Sequence, residues 1–311
     1  MNQYTSLVDE FAVIERFFRG RGAVRPDVRL GVGDDAAVVS PAPGRELVMT
    51  TDTLVAGQHF PAEGFPALAL GHRALAVNLS DIAAMGADPA WALLSLTLPE
   101  TDEAWLEAFA DGFSALAESM NVALIGGNLA AGALTVCVTL AGQGKPGHLL
   151  TRSGAREGDA LYVTGGLGGG TAGLRALRAG SLIEDLQVRA YAFPEPRVKA
   201  GKILAQHAHA AIDVSDGLIG DLAKLLAASG DLGADLSSEA IPLAPGASLE
   251  DALGPSDDYE LLVSLPEPEG EQLTAQLDCQ WQRIGRITGE PGIHLNGETI
   301  MAQSRGYRHF S

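Results

Sequence analysis

A chain of 311 residues, 46% hydrophobic but only 5% aromatic, can bury a core of small and branched aliphatics in one large or two ordinary domains. Its 39 acidic and 21 basic residues leave a formal charge of −18, which argues against nucleic acid as a partner, because phosphate-backbone binding needs a basic surface. No apolar run approaches the roughly 18–20 residues that span a bilayer, so no membrane partner is expected. Asp9, Glu10 and Glu15 interrupt the stretch where a signal peptide would lie, and the expectation is a cytoplasmic protein. Cys137 sits in an alternating apolar segment and reads as an inert thiol. With no CxxC or Cys/His cluster, neither a zinc site nor a disulfide is expected.

In chain order, FAVIERFFR (11–19) has helical apolar spacing. Strands are predicted at 30–32 and 36–39, around the acidic turn Gly33-Asp34-Asp35, and at 47–51, ending in Thr51-Asp52-Thr53. Residues 67–85 read as a long buried helix, 93–98 as a strand, and 102–118 as a helix with Thr101 as its N-cap. Strands at 122–125 and 134–141 complete the first half. The loop-like stretch 142–158 is the candidate boundary, giving domains of 1–147 and 148–311. The second half continues with a strand at 160–164, a glycine-dense turn (165–170), and helices at 171–179 and 198–207. A short strand at 211–214 runs into Asp216-Gly217 and a helix through 228. Strands are predicted at 259–264, 281–287 and 292–295. Both halves mix strands and helices, so two α/β domains are expected.

Acids fall where apolar elements give way to turns: Asp35, Asp52, Asp81, and Asp213 and Asp216 around Ser215. Such positions can aim carboxylates into a shared cleft. Magnesium takes oxygen ligands, keeps several waters and binds a few carboxylates plus substrate phosphates, as phosphoryl transfer requires. Turn residues and helix caps are the ordinary alternative for each acid. The turn Gly165–Gly170 can be a phosphate cradle or simply a tight turn, but no GxxxxGK[ST] occurs, which rejects a Walker-type ATPase. Arg152 and Arg197 are the better phosphate candidates, because guanidinium binds phosphate in bidentate fashion. His59 can bind a phosphate or serve the fold. No Ser/His/Asp or Cys/His nucleophile pairing is evident.

Together, GVGDDAAVV, TTDTLVAGQHF, ALAVNLSDIAAMGADPAW, LTRSGAREGD, AIDVSDGLIGDL, DYELL and GYRHF resemble the thiamine-monophosphate kinase family, within the aminoimidazole-ribotide-synthetase-like superfamily. They follow that family's order over nearly the whole chain. The resemblance implies an N-terminal α/β domain that dimerises through its strands, a C-terminal α/β domain, and a homodimer overall. It implies ATP as co-substrate, several magnesium ions, and in-line transfer of the γ-phosphate to thiamine monophosphate, giving thiamine diphosphate. Carried over, Asp35, Thr50, Thr51, Asp52, Asp81, Asn128, Asp213 and Asp216 would be metal ligands. Gly127, Asn128, Arg152 and Ser215 would contact ATP, and His59, Asp257 and Tyr307 the substrate. An acceptor that is already a phosphate anion needs no strong general base; the obstacle is repulsion between polyanions.

Three positions depart from the family pattern. Asn128 stands where an acid is usual, followed by Leu129 in place of a small hydroxyl residue. Gly169 replaces an acid in the glycine-rich turn. Pro255-Ser256-Asp257 replaces Gly-Gly-Glu. Fewer charged ligands weaken cation binding, so the expectation is retained activity that is weakened or demands more magnesium. The alternative is a non-catalytic relative that only binds nucleotide or thiamine phosphate. Selenophosphate synthetases and hydrogenase maturation factors are disfavoured, since the chain has no cysteine before Cys137 and ends in Phe310-Ser311. The TDTLVAGQHF match disfavours aminoimidazole ribotide synthetase.

Overall fold

In the computed structural model, which describes residues 10–301, the alternating segments of the first half form one four-stranded sheet and those of the second half a seven-stranded one. The described chain divides into two units, 10–79 with 89–144, and 80–88 with 145–301. Each mixes helices with a sheet, as expected. No helix among the described residues is long and apolar enough to cross a membrane.

In the first unit, α1 (Glu10–Val13) widens into a π-helical turn (Ile14–Phe18), which buries Val13, Phe17 and Phe18. A ribbon of β1 (Val28–Leu30) and β2 (Val38–Val39) follows. Both strands are displaced or shortened relative to expectation, because the acidic turn occupies the residues before β2. The third strand, β3 (Glu46–Val55), does not stop at Thr51. It pairs residue for residue with β6 (Thr135–Gly144), from Glu46↔Gly144 to Val55↔Thr135. Asp52 is therefore a mid-strand residue, not a strand end.

The helix α2 (Ala67–Ala84) is almost wholly buried, as its Ala/Leu composition predicts. It crosses α3 (Glu103–Ser119) where glycines remove side chains. A Cβ on Gly71 would lie 2.0 Å from the Phe109 carbonyl oxygen, and one on Gly112 1.9 Å from that of Leu68. The N-cap of α3 is Asp102 rather than Thr101; its carboxylate accepts from the Ala104 and Trp105 N–H groups. The strand β4 (Asp88–Leu98) begins five residues earlier than predicted. It runs parallel to β5 (Ala123–Ala131), which continues through Gly126-Gly127-Asn128. The sheet order is β3-β6-β4-β5.

The second unit is built on β7 (Ala160–Thr164), β8 (Ala210–Val214) and β10 (Glu260–Leu265), all fully buried, with β10 antiparallel to both neighbours. Around them lie α4 (Gly169–Arg178), α5 (Leu186–Ala192), α6 (Val198–Leu204), α7 (Leu218–Ala228), α8 (Leu249–Leu253) and α9 (Glu267–Leu273). With β9 (Gly233–Leu236), β11 (Trp281–Thr288), β12 (Gly292–Leu295) and β13 (Glu298–Ile300), the sheet order is β13-β12-β9-β11-β7-β10-β8. Its core joins Leu161, Val163, Ile212 and Leu262 to the buried face of α7. Four of these elements, α5, α8, α9 and β13, are too short to declare a periodicity, and β9 (GADL) lacks β-branched residues.

Candidate active site

In the first unit a cavity of about 980 Å³ opens against the exposed side of β4 and β5. Asp34, Asp35, Ser95, Gly127, Asn128, Cys137 and Thr139 supply its polar lining and sulfur, and Phe11, Ile14, Phe18 and Leu93 its apolar part. Asp35 is exposed on the acidic turn, where its N–H donates to Asp34 Oδ1 at 2.8 Å. Gly127 sits opposite Leu94 with φ +156°, and a Cβ there would lie 1.7 Å from the Leu94 carbonyl oxygen. Only glycine fits this approach, and the next residue, Asn128, is thereby presented on the cavity wall.

Strand alternation divides the TTDT segment. On one face of β3, the Thr51 hydroxyl lies 3.1 Å from Thr139 Oγ1 and 3.5 Å from Cys137 Sγ, two residues of the cavity wall. Thr50 and Asp52 occupy the opposite face with buried Val48 and Leu54. Of the first-unit candidates, Asp35, Gly127 and Asn128 share the cavity and Thr51 adjoins it. His59 lies just beyond β3, where the Val55 N–H donates to its Nδ1 at 2.9 Å. Acceptance at Nδ1 fixes the neutral ring with its proton on Nε2.

The second unit gathers the remaining acids around the ends of β8 and α7. Asp81 lies within the last turn of α2, so it is a helical residue and not a cap at a helix start. The preceding Ser80 is buried, and its hydroxyl donates to Oδ2 of buried Asp213 at 2.9 Å. Ser215 and Asp216 form the turn between β8 and α7. Their N–H groups both donate to Asp221 Oδ2, at 3.0 and 2.9 Å. Lys224 closes the arrangement, with Nζ 2.5 Å from Asp216 Oδ2 and 2.7 Å from Asp221 Oδ1. Burial pushes the Asp221 carboxyl upward against the pull of Lys224. Partial burial opposes the Lys224 charge, yet the two carboxylates outweigh it and raise its pKa above the ordinary lysine value. Arg152 is exposed, and Tyr307 lies outside the described residues.

The glycine-dense turn is not an open phosphate cradle. Buried Asp258 fills the N-terminus of α4, accepting from the Gly168 and Gly170 N–H groups at 2.8 and 3.0 Å and from Ser256 Oγ at 2.8 Å. Desolvation outweighs these bonds and pushes its carboxyl up to about 6. The same contact seats the substrate candidate Asp257: Thr171 Oγ1 donates to the Pro255 carbonyl at 2.7 Å, and a Cβ on Gly170 would strike the Asp257 backbone. Pro255 is thus accommodated in an anchored loop. Arg197 is likewise engaged, holding Glu260 through Nε at 2.7 Å and Nη2 at 2.6 Å. With 19% of its side chain exposed, it is an internal counter-ion rather than a phosphate ligand.

Sequence reasoning passed over Ser80, Asp221, Lys224 and Asp258. The spacing of Asp221 and Lys224, three apart in the first turns of a predicted helix after Asp216-Gly217, was the available signal. Asp258 is set apart from Asp257 as the first residue of the DYELL motif, but the motif alone does not say that its carboxylate caps α4. Among the described residues, no three acidic, histidine or cysteine side chains converge on one point. The candidate donors are nonetheless hard oxygens, in pairs and singly. They fit an ion carried by one or two carboxylates that takes its other ligands from water and substrate phosphate.

Residues 33–144 match the family model described as AIR synthase related protein, N-terminal domain, and residues 156–297 its C-terminal counterpart. Thiamine-monophosphate kinase of Escherichia coli K12 is 40% identical, covering 97% of this chain and 98% of its own. That of Haemophilus influenzae is 37% identical over the same shares. The crystal structure of thiamine-monophosphate kinase from Stenotrophomonas maltophilia superposes with a TM-score of 0.83 at 41% identity, covering 89% of this chain and 93% of that one. A structure described as AaThiL complexed with AMPPCP and TMP gives 0.78 at 32%, covering 90% and 92%. A hydrogenase maturation protein HypE gives 0.75 at 18%, over 96% and 97%, which speaks for the fold alone.

Proposed function

Because the chain belongs to the thiamine-monophosphate kinase family, we propose that it transfers the γ-phosphate of ATP to thiamine monophosphate, forming thiamine diphosphate. The observation that carries this reading beyond kinship is the pair of carboxylate seats in the second unit. Asp213 is held by Ser80 beside Asp81, and Asp216 is presented on a turn fastened by Asp221. Rigid carboxylates suit transfer between two polyanions, where positioning and charge neutralisation do most of the work.

In this reading Asp81, Asp213 and Asp216 hold magnesium in the second unit. In the first, Asp35, Thr51 and Asn128 do so at or beside the cavity, and Thr50 and Asp52 on the opposite face of β3. Bound magnesium would neutralise charge on the transferred group and orient the phosphates in line. Gly127, Asn128, Arg152 and Ser215 hold the nucleotide. His59, Asp257 and Tyr307 are each read as contacts of thiamine monophosphate. The N-terminal part, 1–147, is read as serving ATP and metal binding and dimerisation, and the part from 148 to 311 as contributing nucleotide and substrate residues. Leu47 and Met49, apolar and exposed on one face of β3, support a homodimer packed through that sheet. A cytoplasmic location goes with the use of ATP.

The test is an assay with ATP, thiamine monophosphate and a magnesium titration, following thiamine diphosphate by chromatography. Product that rises with magnesium is expected. No product at high magnesium, with both ligands bound, would overturn the reading in favour of a binding-only relative.

A further inference from the structure

Lys224 stands where a cation is wanted. Its ammonium lies between Asp216 and Asp221, the only lysine on α7 and one of four in a chain of net charge −18. The two carboxylates differ in freedom. The Asp221 side chain is 1% exposed and turned inward, with Oδ2 on the Ser215 and Asp216 N–H groups and Oδ1 on Lys224. The Asp216 side chain is 34% exposed and makes its bond to Lys224 through Oδ2. An ion approaching Asp216 from solvent therefore meets a carboxylate already paired with a tethered positive charge. Asp221 cannot release the ammonium without becoming a buried unpaired charge, a costly state. Asp216 can release it, because it faces water and an incoming ion.

We propose that the Lys224 ammonium is a resident substitute cation at Asp216, occupying the seat of a divalent ion and displaced from it, though not from Asp221, when the ion binds. This inference rests on the reading of Asp216 as a metal ligand and deepens it. It gives the chain a second reason to demand more magnesium, besides the neutral side chain of Asn128. Until the ion arrives, the turn carries no bare carboxylate to repel an approaching phosphate. Lysine suits the role because its ammonium is a compact point charge on a flexible stem, able to leave one partner while keeping the other.

The displacement has a direct readout in the full-length protein without nucleotide. Lysine side chains are modified with an amine reagent at increasing magnesium, and the extent at each site is read by mass spectrometry. Lys145, Lys199 and Lys202 serve as internal references for ionic strength. Lys224 should become more reactive as magnesium rises, with the midpoint of metal binding measured by calorimetry. In parallel, Lys224→Met combined with Asp221→Asn, so that no buried charge is left unpaired, should tighten magnesium binding by about two- to fivefold, the worth of a half-exposed ion pair no longer in competition. Unchanged or falling Lys224 reactivity through the metal-binding transition overturns the proposal. Asp216→Asn separates the two levels. If it weakens magnesium binding while Lys224 reactivity in the unsubstituted protein stays flat through the metal-binding transition, only the substitute-cation role fails. If it leaves magnesium binding intact, Asp216 is no ligand and both fail.

Discussion

The Ser80 hydroxyl donates to Asp213 Oδ2 at 2.9 Å, joining the C-terminal part of α2 to the end of β8 within the second unit. Both side chains are buried, with Ser80 wholly so. The serine directly precedes Asp81, so one helical turn positions two proposed metal carboxylates: one it carries and one it holds.

Ser80→Ala removes that donor from a buried carboxylate. A hydrogen bond to a charged group is worth about 1.5–3 kcal/mol, so thermal unfolding should move down accordingly. Magnesium affinity, read by calorimetry, should fall by about 10- to 100-fold, as for other outer partners of metal ligands. Ser80→Thr, which keeps the hydroxyl, should recover most of the magnesium affinity.

Asn128→Asp restores a formal charge to the cavity wall beside Asp35. The half-saturating magnesium concentration in the kinase assay should drop by about tenfold, one step of 1.4 kcal/mol. An unchanged midpoint would mean that residue 128 does not face an ion.

Asp258 should leave a signature in the pH dependence of stability. Its carboxyl sits at about 6 in the folded chain, against 3.8 for the ordinary group, so between these values the folded state holds more proton than the unfolded one. Stability from this residue is therefore fully present below about pH 4 and is lost as pH climbs towards 6, by roughly 3 kcal/mol. Asp258→Asn should flatten that slope in denaturant titrations. The same variant loosens the loop that bears Asp257, so KM for thiamine monophosphate should rise while KM for ATP holds.

Gly127→Ala places a methyl against the Leu94 carbonyl oxygen at a backbone angle few side chains adopt. The expected loss is about 3 kcal/mol, measured by thermal unfolding. Gly126→Ala meets only the Leu93 side chain, at 3.2 Å, and should be far milder.

The long elements were legible because their periodicities are long: α2, α3 and the strands of the second sheet's centre all lie where composition and spacing put them. Errors concentrate where one residue decides. Thr101 and Asp102 are both good caps, and only the geometry of α3 chooses the aspartate. The TTDT segment reads as a strand end because its Asp suits a turn, yet its β-branched threonines and pairing with β6 along ten residues carry the strand through it. With Asp52 mid-strand, alternation sends it and Thr51 to opposite faces, a consequence that a strand ending at Thr51 does not carry. The glycine-dense turn misled for another reason. A helix N-terminus attracts any anion, and the one that fills it lies some ninety residues away in sequence.

That filled helix end has a kinetic corollary. The α4 N–H groups face Asp258, Arg197 faces Glu260, and Arg175 faces Asp251. These sources of positive potential are quenched inside a chain whose overall field is strongly negative. An approaching free nucleotide is therefore slowed at long range, before any contact forms. Simple monovalent salt, by shortening the reach of that field, should hasten capture of the nucleotide, the reverse of its usual effect on enzymes that draw in phosphates with basic surfaces.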